Sequence, residues 1–163
     1  MLEKKINLLS KDNKITMITA YDYVSGYIVN KSDAEIILVG DSLGMTTLGY
    51  NFTNSVKIDD IIRATQAISR ANITKILVAD LPYQTYESNY QALDNASKLI
   101  SFGADAVKLE GGEEKSEIIR FLRDNKIPVM GHIGIQPQSI NSNNDYKVLG
   151  RNSLEKDKII KDA

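Results

Sequence analysis

The chain contains no cysteine among its 163 residues and only one histidine, His132. Disulfides, thiolate zinc sites and cysteine nucleophiles are therefore excluded together, and the composition suits a reducing compartment. Neither sign of charge prevails. Lys and Arg number 20 against 21 Asp and Glu, with no block of like charge, which argues against a nucleic-acid partner. Long apolar runs are missing too. No stretch approaches the roughly 18 residues of a membrane span. The opening MLEKKINLLSKDNKI lacks an apolar segment of signal-peptide length. We expect a cytoplasmic protein with no membrane partner. The length accommodates one domain over 1–163 with a real core, whereas two would be crowded.

What the sequence does contain is alternation. KITMITAY (14–21), EIILVGD (35–41), KILVADLP (75–82), AVKLEGG (106–112) and PVMGHIG (128–134) read as buried strands. Each is almost continuously apolar, as parallel strands covered on both faces tend to be. Helical patterns lie between them at 56–71, 89–104 and 113–125. The first carries Ile58, Ile61, Ile62, Thr65 and Ile68 on one face, and the second stops at Gly103, a suitable C-terminal cap. The βα alternation implies an α/β fold with a parallel sheet and right-handed crossovers. Periodicity alone leaves two architectures open, a partial barrel and an open flavodoxin-like sheet.

Asp41, Asp80, Glu110 and His132 each fall at or just beyond the C-terminal end of a different strand, where both barrel and open-sheet folds build their sites. Taken singly, Asp41 or Asp80 could be a helix cap or an Asx turn. Three carboxylates converging are costly unless a cation neutralises them, and oxygen ligands without cysteine favour Mg²⁺ over zinc. Lys108 shares a strand face with Glu110 and could bind a carboxylate, or snorkel to water. His132, in PVMGHIGI, could equally be a packed, hydrogen-bonded histidine. EGGEE (110–114) matches neither the P-loop nor the dinucleotide pattern, and its acids argue against phosphate. The tyrosines at 21, 23, 27, 83, 86 and 90 are expected to serve core and rim packing.

The letters GDSL (40–43) resemble the nucleophile block of GDSL-type hydrolases, which activate their serine with a late Asp-x-x-His pair. Here the residue three before His132 is Val129, so Ser42 has no visible base. Six blocks in order resemble a different family, ketopantoate hydroxymethyltransferase: TAYDY (19–23), LVGDSLGM (38–45), ADLPY (79–83), GADAVKLEGG (103–112), PVMGHIGIQPQS (128–139) and YKVLGR (146–151). The resemblance implies a (β/α)8 barrel of the TIM type, Mg²⁺, a branched 2-oxo acid and 5,10-methylenetetrahydrofolate as one-carbon donor. It also implies pantothenate biosynthesis as the setting and a homo-oligomeric assembly. By the same resemblance Asp41 and Asp80 look like metal ligands, with Glu110 at the metal directly or through water. Ser42 and Lys108 look like contacts to the substrate carboxylate, and His132 like a further substrate-site residue. Mg²⁺ would polarise the keto group and make the C3 proton acidic. Ser42 is then a binder and not a nucleophile.

The match departs from the family in two places. After LGYNFT the chain reads NSVKIDD where the family usually has a Leu-Pro or Val-Pro pair, so the loop after the second strand is expected to differ. A (β/α)8 barrel takes about 250 residues, and only about five of eight βα units are expected here. The family's general base is a glutamate in a block that would follow Ala163, so the catalytic base is unknown and the short chain is expected to be inactive or impaired. Two alternatives remain: a non-catalytic or partner-requiring fragment, and a Mg²⁺-dependent 2-oxo-acid lyase of the isocitrate lyase and phosphoenolpyruvate mutase group. Lyases of that group commonly carry a cysteine-containing gating loop, and this chain has no cysteine.

Overall fold

The structure is a computed structural model that describes residues 14–142 and 145–163. The amino-terminal segment read for a signal peptide lies almost wholly outside these. All five expected strands form, each shorter than its apolar run: β1 (Met17–Thr19), β2 (Ile36–Val39), β3 (Ile76–Asp80), β4 (Ala106–Glu110) and β5 (Val129–His132). They pair in parallel in the order β1-β2-β3-β4-β5. Sequential order excludes the flavodoxin-like alternative, whose first strand sits between its neighbours in a doubly wound sheet.

Alternation along the strands divides the sheet into two unlike faces. Ile37, Val39, Leu77, Ala79, Val107 and Leu109 join the main core, together with the buried sides of the helices. Ile36, Leu38, Ile76, Val78 and Ala106 form a separate cluster on the opposite face, with Met130 packed against it. A sheet with its helices on one side and a small aliphatic lining on the other is the arrangement of a barrel wall.

The helices begin where side chains satisfy free N–H groups. Helix α1 (Tyr23–Lys31) starts in a capping box: Asp22 Oδ1 accepts from the Ser25 N–H at 2.8 Å, and Ser25 Oγ accepts from the Asp22 N–H at 3.1 Å. A single turn, α2 (Leu43–Thr46), follows β2 directly. Helix α3 (Ile58–Ser69) buries Ile61, Ala64, Thr65 and Ile68, while Ile58 and Ile62 pack from its edges. Helix α4 (Asn89–Ser101) is capped by Ser88 and ends at Gly103, whose φ of +113° requires glycine. The run from 113 splits into a 3₁₀ turn, Glu113–Lys115, and α5 (Ser116–Asp124), which buries Ile118 and Leu122. Beyond a 3₁₀ turn at Pro137–Ser139 comes α6 (Ser153–Asp162), which buries none of its residues.

Two differences from the sequence reading stand out. Helix α1 lies in a stretch where no apolar stripe announces it: Tyr23, Val24, Tyr27 and Ile28 are exposed, and the buried positions are Gly26 and Val29. The tyrosines also divide. Tyr86 is buried and Tyr21 half-buried, whereas Tyr23, Tyr27, Tyr83 and Tyr90 are exposed, so packing accounts for only some of them. Among the described residues no helix is long and apolar enough to cross a membrane.

Candidate functional site

Strand register brings the candidate residues together. Asp80 is paired with Lys108 across β3 and β4, and Glu110 with His132 across β4 and β5. All four lie on the face away from the helices, two residues on from Val78, Ala106, Lys108 and Met130 respectively. Asp41 follows the end of β2. Together with Ser42 these side chains line a cavity of about 260 Å³. A larger hollow of about 640 Å³ lies between β5 and α6, walled by Arg120, Arg123 and Lys161. Its two acids, Glu113 and Asp162, are not buried, and Glu113 is paired with Lys161, so the smaller cavity with its buried acids is the chemical one.

Asp41, Asp80, Lys108 and Glu110 are all buried. The Lys108 ammonium stands 2.9 Å from Asp80 Oδ1, yet that oxygen makes no hydrogen bond of proper geometry. Asp80 Oδ2 accepts from the Asp41 backbone N–H at 3.1 Å, an ordered tie between the ends of β2 and β3. Glu110 is held at both oxygens. Its Oε1 lies 3.0 Å from His132 Nδ1, and its Oε2 accepts from the Gln138 backbone N–H at 3.0 Å. Asp41 Oδ2 accepts from Gln138 Nε2 at 2.7 Å. The helix-cap explanation for Asp41 and the water-facing explanation for Lys108 are therefore both set aside. Ser42 Oγ is 2.7 Å from the Tyr21 hydroxyl, and no base contacts it among the described residues.

The acids are electrostatically uncomfortable. Burial, then the neighbouring Asp80 charge, pushes the Asp41 carboxyl up to about 7. Burial also raises Asp80, outweighing the attraction of Lys108. Two buried carboxylates that resist ionisation, one with an oxygen lacking a directional partner, form a donor set that a hard cation would relieve. Among the described residues no group of three or more His, Cys, Asp and Glu side chains is arranged to hold a metal ion. Magnesium does not require such a cage. It is commonly held by one or two carboxylates, with the remaining positions filled by water and substrate oxygens. Asp41 and Asp80 meet that requirement. Glu110, with both oxygens engaged, is better suited to reach an ion through water.

The sequence assigns Gln138 no role and Tyr86 only a packing one. Gln138 is neutral and lies within a matched block, and Tyr86 sits in no motif. Only their burial and partners reveal them. Tyr86 approaches Gln138 Oε1 at 2.5 Å and the Glu110 carbonyl at 3.2 Å.

A model of the family described as ketopantoate hydroxymethyltransferase matches residues 2–163. The 3-methyl-2-oxobutanoate hydroxymethyltransferase of Saccharolobus solfataricus is 45% identical over 155 residues, covering 94% of this chain and 58% of that protein. The protein of the same name from Nitrosopumilus maritimus is 44% identical over 159 residues, covering 97% and 57%. The chain thus spans under two-thirds of the length of these relatives. Among solved structures, 2,3-dimethylmalate lyase, a PEP mutase/isocitrate lyase superfamily member, superposes with a TM-score of 0.61 at 11% identity, covering 80% of this chain and 51% of that one. Phosphoenolpyruvate phosphomutase from Streptomyces platensis subsp. rosaceus gives 0.55 at 13%, covering 66% and 37%. At such identities the likeness is one of fold.

Proposed function

Because the chain belongs to the ketopantoate hydroxymethyltransferase family, we propose that it forms the cation- and oxo-acid-binding part of a hydroxymethyltransferase. The reaction would move a one-carbon unit from 5,10-methylenetetrahydrofolate to 3-methyl-2-oxobutanoate, giving 2-dehydropantoate for pantothenate biosynthesis. One observation carries this reading: two buried, charge-stressed carboxylates and a buried lysine converge on a small cavity at the C-terminal ends of parallel strands.

Asp41 and Asp80 would hold Mg²⁺, with Glu110 reaching it through water. When bound, that ion supplies Lewis-acid polarisation of a 2-oxo group, which makes the adjacent C–H acidic. The chain's own residues do the rest. Lys108, now opposite Asp80, is placed to give its ammonium to the substrate carboxylate. The Ser42 hydroxyl, turned by Tyr21, supplies a second contact to that carboxylate. His132, held by Glu110, closes the far wall. No described residue is assigned the C3 proton, and we propose that this chain alone is inactive or impaired. The lyase alternative has only fold likeness behind it, whereas the transferase reading has identity over nearly the whole chain.

Binding and proton exchange test the reading together. The 163-residue chain should bind 3-methyl-2-oxobutanoate in a Mg²⁺-dependent manner by calorimetry. NMR in D₂O should show its C3 proton exchanging no faster than the uncatalysed rate. Binding indifferent to Mg²⁺ would remove the cation assignment. Enzymatic exchange would show that a base lies within these residues.

A further inference from the structure

Gln138 ties together the ends of three strands through two acids and one backbone carbonyl. It is 3% exposed and sits in the 3₁₀ turn after β5. Its Nε2 donates to Asp41 Oδ2 at 2.7 Å and to the Leu81 carbonyl, just past β3, at 3.0 Å. Its backbone N–H donates to Glu110 Oε2 at 3.0 Å, and its Oε1 accepts from the Tyr86 hydroxyl at 2.5 Å. Two acceptors on one end of the amide and a hydroxyl donor on the other settle which end is nitrogen. Both N–H groups of the side chain are used, so the amide has no freedom to turn.

A carboxylate with one oxygen fixed by a short charge-assisted hydrogen bond has its plane fixed as well. Gln138 takes Oδ2 of Asp41, leaving Oδ1, held in that plane, as the oxygen offered to a cation. It takes Oε2 of Glu110, whose other oxygen is already on His132. We propose that Gln138 is a positioning residue of the cation site: it makes Asp41 a single-oxygen donor and keeps Glu110 out of direct ligation, while Tyr86 locks the amide in the orientation that does this. The proposal rests on the cation reading above and adds to it the device that sets how the acids are presented. A hydrogen bond from a neutral donor suits this role. It fixes the carboxylate without cancelling its charge, as a lysine or arginine in the same place would.

Mn²⁺ is the probe, titrated into the full 163-residue chain by calorimetry and followed by electron paramagnetic resonance, with circular dichroism to confirm folding. Gln138→Met keeps approximate size and removes the donor. It should weaken Mn²⁺ binding at least tenfold and alter the line shape of the saturated complex, which loss of stability alone would not change. Tyr86→Phe should move both readouts the same way by a few-fold. Wild-type affinity and line shape in folded Gln138→Met would overturn the positioning role while leaving the cation reading intact. Failure of the unsubstituted chain to bind Mn²⁺ would overturn both. Should Gln138→Met not fold, Tyr86→Phe decides: reduced Mn²⁺ affinity supports the role, and unchanged affinity overturns it.

Discussion

At the scale of single residues, Asp41 is the most informative side chain. Its carboxyl ordinarily titrates near 3.8 and is pushed up to about 7 in the fold, chiefly by burial and next by Asp80. The folded chain therefore holds that proton more tightly than the unfolded one does. The stabilisation it contributes is complete below about pH 4 and is lost as pH rises through about 7. Asp41→Asn imitates the protonated acid at every pH. In chelator-treated protein, the melting temperatures of wild type and Asp41→Asn should coincide near pH 4, with the variant pulling ahead up to pH 7. A gap that stays constant across the range would refute the assignment. Saturating Mg²⁺ should narrow the gap at neutral pH by stabilising only the ionised wild type. Ser42 teaches a complementary lesson. Its place in GDSL invites a nucleophile, yet its 2.7 Å partner is the Tyr21 hydroxyl, which orients it.

At the scale of elements, the short turn α2 delivers Ser42 to the cavity, and its seat depends on a close approach. A Cβ built on Gly44 would stand 2.4 Å from Val56 Cγ2, and Val56 is fully buried. Gly44→Ala should cost about 1–3 kcal/mol through overpacking. Adding Val56→Ala should give a double variant less destabilised than the sum of the two, measured by urea denaturation. Strict additivity would show that the turn shifts freely. The same kind of contact explains what could be read in advance. The strands and α3 were legible because burial on both faces, or on one stripe, leaves a periodic apolar signature. Helix α1 was not, because it meets the core through Gly26, whose added Cβ would lie 3.0 Å from Ile68 Cγ2, and turns Val24, Tyr27 and Ile28 outward. Close backbone approach leaves no apolar stripe to detect.

At the scale of the whole molecule, β1 pairs only with β2 and β5 only with β4 among the described residues, so both ends of the sheet present parallel edges. Met17 and Ile18 on β1 are exposed, as are Val24, Tyr27 and Ile28 on α1. Such an edge templates association. Sedimentation velocity of the 163-residue chain should show concentration-dependent association that Ile18→Lys reduces, and an unchanged distribution would locate the contact elsewhere. The acids at strand ends were legible because parallel strands present their C-terminal residues to one rim. Gln138 was not, since its importance comes from partners 97 and 28 positions away and nothing near it in the chain hints at them. That separation bears on how the protein is made. A ribosome delivers Asp41 and Glu110 well before Gln138, so the emerging chain carries two acids whose common hydrogen-bond donor has not yet been synthesised. Asp41 and Glu110 gain that donor only when the loop after β5 clears the exit tunnel.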